Sequence, residues 1–428
     1  MSILRRQNET VGFYLPGFFH ISVSTEATEL QYFTDKDKSV YFHEYIHFMQ
    51  DITTAHGLSK MMNSFHQLCD LFSGIESCNT FDDCYNNYET IIKSSIERQN
   101  ELKEFLYEEE LPEIENENDY GEIVSIKKSD NELYYKIVFE NINSHEKKLE
   151  YNFNSCVIEE GMAYILEKNI FPSESEDIPR FPYHVVREVS DHITSRPLTD
   201  VELIQLCDLS LQTTRPGIDF IKNLMKISSG ASINDLWNQD IAIIDMATGQ
   251  ETHSYHPCTA CHETIRSEVF IEALNCAFGG EVRDNIRCYL FKICQKGSKF
   301  RYDEGMNLFS NLLQINRSTI NNAVNFLHRM LGAPNTFRAS DGLYFGAFAE
   351  HQVGAPYLPI LYTIIDRVFS EDNIIRCPYC SNCAQPEHKY NKVYNENCKI
   401  NFLKNIGHPS GFCMATALAY NMGLKKLC

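Results

Sequence analysis

The chain has 428 residues, 43% of them hydrophobic, and a formal net charge of −20. An acidic surface repels nucleic-acid phosphates, so we do not expect nucleic-acid binding. No run of 18 apolar residues occurs, so we do not expect a membrane span. The first residues lack the pattern of a signal peptide, so the 16 cysteines favour a cytoplasmic protein with reduced thiols, some of them on metal.

The N-terminal segment predicts short strands followed by two helices. The strands are expected at Val11–Leu15, Phe18–Val23 and Leu30–Phe33. A long helix is expected from about Ser39, with Asp35 and Asp37 as upstream start signals, and Gly57 is expected to kink or end it. Apolar periodicity then resumes over Leu58–Phe72.

The first helix carries His43-Glu44-Tyr45-Ile46-His47, an H-E-x-x-H motif. Residues four apart share one helix face, which places the two imidazoles at a spacing suited to one zinc ion, and Glu44 beside them as a candidate general base. The flanking residues are apolar on nearly every side, so the helix is expected to be buried and its polar groups to need partners. The alternative is a pair of buried structural histidines. Asp51, one turn later, is either a partner of a ligand imidazole or, more simply, a solvated helix residue.

The middle of the chain predicts an insert between two helical parts. A polar helix is expected over Phe81–Tyr107, followed by an acidic, exposed loop at 107–122. Three alternating segments then predict a β-hairpin or small meander: Glu122–Ile126, Leu133–Glu140 and Lys147–Phe153.

A helix returns at Asn154–Lys168 and contains Glu159-Glu160-Gly161-Met162-Ala163. The H-E-x-x-H motif followed by Glu160-Gly161-x-Ala resembles the gluzincin type of zincin metallopeptidase. That resemblance implies His43, His47 and Glu160 as zinc ligands and Glu44 as the catalytic base. The separation of the motifs is long for this pattern, and the insert at 107–153 accounts for the excess. The other zincin pattern needs a third histidine where this chain has Thr53.

The rest of the chain is predicted to be mostly helical after a connector at Phe171–Arg180. The expected helices are Tyr183–Ile193, Thr199–Gln212, Pro216–Ile227, Ala231–Met246, Thr264–Gln295, Met306–Leu313, Thr319–Leu331 and Pro356–Phe369, with a glycine-rich loop at Asp341–Gly354. The predicted organisation has four parts: 1–106 with the motif helix, the insert at 107–153, 154–250 with the third ligand, and a helical region at 251–428.

Two groups of cysteines are candidate structural metal ligands. The first is Cys377, Cys380, Cys383 and Cys398, whose C-x-x-C spacing suits a four-thiolate zinc site. An iron–sulfur cluster and plain thiols are the alternatives, and His388 and Cys413 are spare candidates. The second group is Cys258 and Cys261 with nearby histidines. It is expected either to form a separate zinc knuckle or to complete a zinc site with the C-terminal cysteines.

Together these patterns predict a mainly helical α+β protein with a zincin-like catalytic core, a small β insert and a helical C-terminal region. The predicted function is a zinc metallopeptidase with one catalytic and one structural Zn²⁺, acting on a protein or peptide and regulated by a partner protein. The alternatives are a metal-stapled interaction protein and a metal hydrolase of non-peptide amides or esters. The candidate oxyanion stabilisers are Tyr164, Tyr183, His184 and His351.

Overall fold

The computed structural model describes most of the chain. The described residues are 12–15, 17–77, 114, 117–129, 134–143, 148–175, 178–244, 251–278, 284–340, 342–346, 354–368, 376–385, 391, 394–405 and 413–421. The helix predicted at Phe81–Tyr107, most of the acidic loop, His351 and His388 lie outside them.

Helices dominate the described chain, which confirms the predicted mainly helical α+β class. The α-helices are Asp35–Thr53 (α1), Ala55–Ser77 (α2), Ser155–Ile170 (α3), Val185–Ile193 (α4), Asp200–Leu211 (α5), Pro216–Ser228 (α6), Ile233–Trp237 (α7), Pro257–Arg266 (α8), Glu268–Phe278 (α9), Asp284–Glu304 (α10), Ile320–Leu331 (α11), Leu358–Val368 (α12), Cys380–Cys383 (α13), Asn397–Ile400 (α14) and Met414–Asn421 (α15). Short 3-10 helices lie at Leu30–Tyr32, Glu117–Asp119, Pro172–Ser175, Gly305–Asn307, Ser310–Gln314, Ala355–Tyr357 and Phe402–Asn405.

The strands form three small sheets within the described residues. They are Gly12–Leu15 (β1), His20–Val23 (β2), Tyr120–Lys128 (β3), Tyr135–Asn141 (β4), Lys148–Phe153 (β5), Ile241–Ile244 (β6), Glu251–Tyr255 (β7), Asn335–Arg338 (β8) and Tyr344–Gly346 (β9). The β3-β4-β5 sheet is antiparallel and confirms the predicted meander. The four-stranded sheet has the order β1-β2-β8-β9, in which β2 and β8 are parallel.

Helix α1, which carries the H-E-x-x-H motif, is buried on most of its surface. It begins at Asp35, four residues before the predicted start, because Thr34 and Asp37 form a capping box. The Thr34 side chain accepts a hydrogen bond from the Asp37 backbone N–H, and the Asp37 carboxylate accepts one from the Thr34 backbone N–H. The helix packs against α2, α3, α10 and strand β1. Its burial confirms the expectation drawn from its apolar flanks.

The break between α1 and α2 lies at Thr54, not at Gly57 as predicted. Gly57 instead permits the close approach of the two helices. A Cβ at position 57 would lie 2.4 Å from the Asp51 Cα and 2.4 Å from the Gln50 carbonyl oxygen. The prediction that Gly57 kinks or ends the helix is therefore wrong, because the backbone turns three residues earlier and Gly57 lies within α2.

Four other predicted elements are wrong. The helix predicted over Met306–Leu313 is instead two short 3-10 helices, Gly305–Asn307 and Ser310–Gln314. Leu30–Phe33 is a 3-10 turn followed by extended backbone, not a strand. The helix predicted over Ala231–Met246 begins at a capping box formed by Ser232 and Asp235 but ends at Trp237, and the isoleucine-rich run Ile241–Ile244 forms a strand. The long helix predicted over Thr264–Gln295 is divided between α8, α9 and α10.

One pair of cysteines departs from the expected reduced thiols. Cys69 of α2 and Cys276 of α9 are joined by a disulfide across 207 residues of sequence. No helix among the described residues has the length and hydropathy needed to cross a bilayer.

Candidate metal centre

Helix α3 supplies the acidic side of the candidate centre. Its first turn is capped by Asn154, whose side chain accepts from the Val157 backbone N–H. Glu160 and Glu167 lie seven residues apart, which places both carboxylates on the same face of the helix two turns apart. That face packs against α1, so both carboxylates reach the histidines of the motif.

The two motif histidines and Glu160 converge on one point. His43 Nε2 lies 3.2 Å from Glu160 Oε2, and His47 Nε2 lies 3.4 Å from the same oxygen. The two Nε2 atoms are 3.2 Å apart. Ligand atoms of these three residues all lie within 4.8 Å of one another. Within the described residues, this is the group of three potential metal ligands that lie so close together. The structure therefore brings together the three residues that the sequence predicts as metal ligands.

The other ring nitrogen of each histidine is held by an acceptor from the protein. His43 Nδ1 donates to Glu167 Oε2 at 2.9 Å, and Glu167 also accepts a hydrogen bond from Ser39 Oγ. His47 Nδ1 lies 2.8 Å from Gln50 Oε1. The Gln50 amide has a fixed orientation because its Nε2 donates to the Glu159 carbonyl at 3.0 Å. Acceptors at both Nδ1 atoms leave both Nε2 lone pairs facing Glu160.

This arrangement needs a positive charge at its centre. Two imidazole lone pairs and a carboxylate oxygen are all acceptors, so a proton or a metal cation must lie among them. Burial lowers the pKa of His43, but hydrogen bonds to Glu160 and Glu167 outweigh it and raise this pKa well above its usual value. Burial raises the pKa of Glu160, but His47 and His43 outweigh it and hold that pKa well below its usual value. The donor set of two nitrogens and one oxygen is one that zinc commonly takes in catalytic sites.

Glu159, the neighbour of Glu160, faces a different group. Both of its carboxylate oxygens accept from Lys60 Nζ at 3.0 Å, so the preference for Glu160 over Glu159 agrees with the geometry. Lys60 Nζ also lies 3.8 Å from Asp51. Asp51 is only 2% exposed, so its interpretation as a solvated residue is wrong, and Gln50 rather than Asp51 holds His47. Burial raises the pKa of Asp51 to about 7, although Lys60 opposes the shift.

Glu44 is half-buried and lies where α1 meets strand β1. A Cβ placed on Gly12 would lie 2.3 Å from Val40 Cγ1 and 3.7 Å from Glu44 Cγ, so only glycine lets the strand pass this close. Burial is the largest influence on the pKa of His47 and lowers it. Glu44 is near enough to His47 to raise that pKa. The candidate base therefore lies between the candidate ligands and β1, an edge strand of its sheet within the described residues.

Gly161 lets a second segment approach the centre. A Cβ at this position would lie 2.6 Å from Val186 Cγ2 and 3.6 Å from the Tyr183 carbonyl oxygen. The Tyr183 ring consequently packs edge-on against the His43 ring, with centroids 5.9 Å apart. Of the candidate oxyanion stabilisers, Tyr183 thus contacts a candidate ligand, whereas His184 packs against Tyr164.

The cysteine candidates lie in two separate environments. Cys258 and Cys261 occupy the first turns of α8, and Cys261 Sγ lies 3.7 Å from the Ile52 carbonyl oxygen of α1. Cys377, Cys380, Cys383 and Cys398 are all buried near the C-terminal end of the described chain.

The sequence interpretation missed Glu167, Gln50 and Ser39. Glu167 had a signal, because its position seven residues after Glu160 puts it on the same face of a predicted helix. Gln50 and Ser39 had no comparable signal, because their roles depend on how α1 and α3 pack together.

Comparisons with known proteins identify no relative. No family model matches the chain, and no match is found among curated proteins or solved structures.

Proposed function

We propose that the chain is a zinc-dependent metallopeptidase with His43, His47 and Glu160 as metal ligands. The observation that carries the proposal is the convergence of three acceptor atoms, all within 4.8 Å of one another, on two buried residues and the half-buried His47. Protein interiors rarely leave such acceptors facing each other without a cation. The chain has a zincin-like arrangement in this proposal, with the motif on one helix and the third ligand on a later one.

Glu44 is the general base in the proposed reaction. A bound zinc ion supplies Lewis acidity, which lowers the pKa of a water molecule and polarises a peptide carbonyl. Glu44 would accept a proton from the attacking water and return it to the leaving amine. Tyr183, which contacts the His43 ring, is the side chain best placed to donate to the developing oxyanion.

The position of β1 supports a peptide as the substrate. The strand passes over Glu44 at Gly12, and its outer edge carries backbone groups that can pair with an extended peptide. A substrate paired along this edge would bring a peptide carbonyl near both the candidate base and the candidate metal.

The test is Glu44→Gln, assayed for peptide cleavage with zinc-loaded protein. Removing the base while keeping the side-chain size should lower kcat by about 10²-fold to 10⁴-fold or more, with zinc content unchanged. Glu174→Gln, which alters an exposed glutamate outside the centre, serves as the control and should retain full activity.

The substrate class is tested with a peptide library alongside small non-peptide amides and esters. Cleavage of peptides that is lost in Glu44→Gln supports the peptidase. Turnover of small amides or esters alone, or wild-type protein that holds zinc and cleaves nothing, would contradict it and favour a non-peptide hydrolase or a structural site.

A further inference from the structure

The three candidate ligands come from α1 and α3, yet a lysine of the neighbouring helix α2 reaches α3 beside them. Lys60 Nζ donates to both carboxylate oxygens of Glu159 at 3.0 Å. His56 of α2 also lies beside Glu159, but its Nε2 is 4.0 Å from Oε1, which is too long for a hydrogen bond. The Lys60–Glu159 pair therefore joins α2 to α3 one residue before Glu160.

This ion pair holds the backbone group that orients Gln50. The Glu159 carbonyl accepts from Gln50 Nε2 at 3.0 Å, and Gln50 Oε1 lies 2.8 Å from His47 Nδ1. A carbonyl oxygen can only accept, so it fixes which end of the Gln50 amide faces it and leaves Oε1 for the imidazole. An unbroken series of contacts thus runs from Lys60 to a candidate ligand.

The same ammonium group also faces the motif helix. Lys60 Nζ lies 3.8 Å from the carboxylate of Asp51, which follows His47 by one turn of α1. Asp51 and Glu159 are both buried, and they belong to the two helices that supply the ligands. Lys60 therefore places a positive charge between α1 and α3 at the level of the centre.

Glu159 depends on this charge for its position. It is 7% exposed and adjoins a second buried carboxylate, Glu160. A buried carboxylate that loses its counter-charge is strongly unfavourable. Without Lys60, the Glu159 side chain would turn toward solvent, and its carbonyl would move away from Gln50.

We infer that Lys60 is a positioning residue for the metal centre, which acts on His47 through Glu159 and Gln50. This inference rests on the proposed function, because it takes zinc to bind at the three candidate ligands. A direct effect of the charge would have the opposite sign. An ammonium group repels a nearby divalent cation, so loss of the charge alone would strengthen zinc binding, whereas loss of positioning weakens it.

The first experiment measures zinc affinity by competition with a chelator of known affinity. Lys60→Met keeps the length of the side chain without its charge, and it should lower the affinity by about 10-fold to 100-fold. Lys60→Arg, which keeps the charge and the N–H donors, should recover most of that loss. Lys222→Met, which breaks an exposed pair with Asp219, is the matched control and should bind zinc as wild type does.

The second experiment asks whether Lys60 acts through Gln50. Gln50→Leu removes the acceptor of His47 and should itself lower zinc affinity by about 10-fold to 100-fold. In Gln50→Leu/Lys60→Met, the lysine change should then add little further loss, because its route to His47 is already broken.

The third experiment uses wild-type protein, so that it remains decisive if the lysine variants fail to fold. Coupling between two sites is reciprocal, so zinc should slow amide hydrogen exchange at Ser59–Asn63 of α2 as well as in α1 and α3. The strand Ile241–Ile244, which belongs to another sheet, is the control segment and should exchange at an unchanged rate.

Three results would overturn the inference. They are zinc binding in folded Lys60→Met that is as tight as in wild type or tighter, losses that multiply in Gln50→Leu/Lys60→Met, and no protection of α2 by zinc. Wild-type protein that binds no zinc at the three ligands would instead contradict the proposed function itself. The two failures are therefore distinguishable, and none of these readouts requires peptidase activity.

Discussion

His43 lies between two glutamates of one helix, and each glutamate holds a different ring nitrogen. Glu160 faces Nε2 at 3.2 Å, and Glu167 faces Nδ1 at 2.9 Å. A carboxylate on the nitrogen that does not bind metal fixes the tautomer and makes the other nitrogen a better donor. Glu167 is therefore a positioning residue that acts through His43.

The Glu167→Gln variant tests this role. The neutral amide keeps the shape of the side chain but loses the charge that orients and polarises His43. We expect zinc affinity at the His43 centre to fall by about 10-fold to 100-fold, measured by competition with a chelator of known affinity. Glu174→Gln should not change it. Unaltered affinity in Glu167→Gln would show that the hydrogen bond does not support the ligand.

At the scale of elements, the packing of α3 against α4 depends on one glycine. Val186 is fully buried, and a Cβ at position 161 would lie 2.6 Å from its Cγ2 and 3.0 Å from its Cβ. The same contact places Tyr183 against the ring of His43. Gly161 thus links the position of Glu160, the candidate third ligand, to the segment whose Tyr183 contacts His43.

Gly161→Ala should destabilise the protein by about 1–3 kcal/mol, the usual cost of overpacking a filled core. The measurement is chemical denaturation followed by circular dichroism. Gly121→Ala is the control, because its nearest contact, the Glu140 carbonyl oxygen at 3.6 Å, is an ordinary one. In Gly161→Ala/Val186→Ala the cost should be less than the sum of the single changes. Additive costs would contradict the proposed clash.

Local sequence signals predicted α1, α3 and the β3-β4-β5 meander, because their periodicity and caps lie within each segment. They failed where a distant partner decides the structure. Strand β8, four residues long, forms because β2 pairs with it in parallel, with His20 opposite Asn335. The H-E-x-x-H spacing predicted His43 and His47 as neighbours, but the interactions of Gln50 required the packing of α1 on α3.

At the scale of the whole molecule, a buried ion pair joins three distant helices. Arg301 of α10 and Asp208 of α5 are both fully buried, with Arg301 Nη1 and Nη2 at 2.7 and 2.6 Å from the carboxylate oxygens. Arg301 Nε also donates to the Thr53 carbonyl at 2.9 Å, which satisfies the C-terminal end of the motif helix.

Arg301→Met should therefore cost about 3–5 kcal/mol of unfolding free energy, because it leaves Asp208 buried without its counter-charge. Arg301→Met/Asp208→Leu should recover part of that loss. Arg196→Met, which breaks an exposed pair with Glu202, should have little effect. If Arg301→Met is as stable as wild type in denaturant titrations, the pair is not what joins these helices.

Because His20 is buried in the four-stranded sheet, we expect the protein to lose stability in acid. His20 stacks on Phe337, with centroids 4.6 Å apart, and also contacts Phe13 and Tyr362. Burial lowers the pKa of His20 from 6.5 to about 3, so the unfolded chain takes up the proton first. The stability is present above pH 6.5 and is lost as the pH falls toward 3, by about 1.4 kcal/mol per pH unit for this residue.

His20→Phe should reduce the slope of unfolding free energy against pH between 6.5 and 4 by about 1.4 kcal/mol per pH unit, as measured by urea titration at each pH. Burial also lowers the pKa values of His56 and His328 to about 4, so these two histidines should contribute to the slope that is left. His192→Gln, a change at an exposed position, should leave the slope as in wild type. A slope in His20→Phe as steep as in wild type would contradict the assignment to His20.

The central claim is that His43, His47 and Glu160 bind one metal ion, and crystals of zinc-loaded wild-type protein test it most directly. An anomalous difference map recorded at the zinc edge should show a peak about 2.0–2.2 Å from both Nε2 atoms and from the Glu160 carboxylate. That peak should be missing in His47→Ala crystals grown under the same conditions. A fully zinc-loaded crystal with no peak among these three side chains would contradict the account.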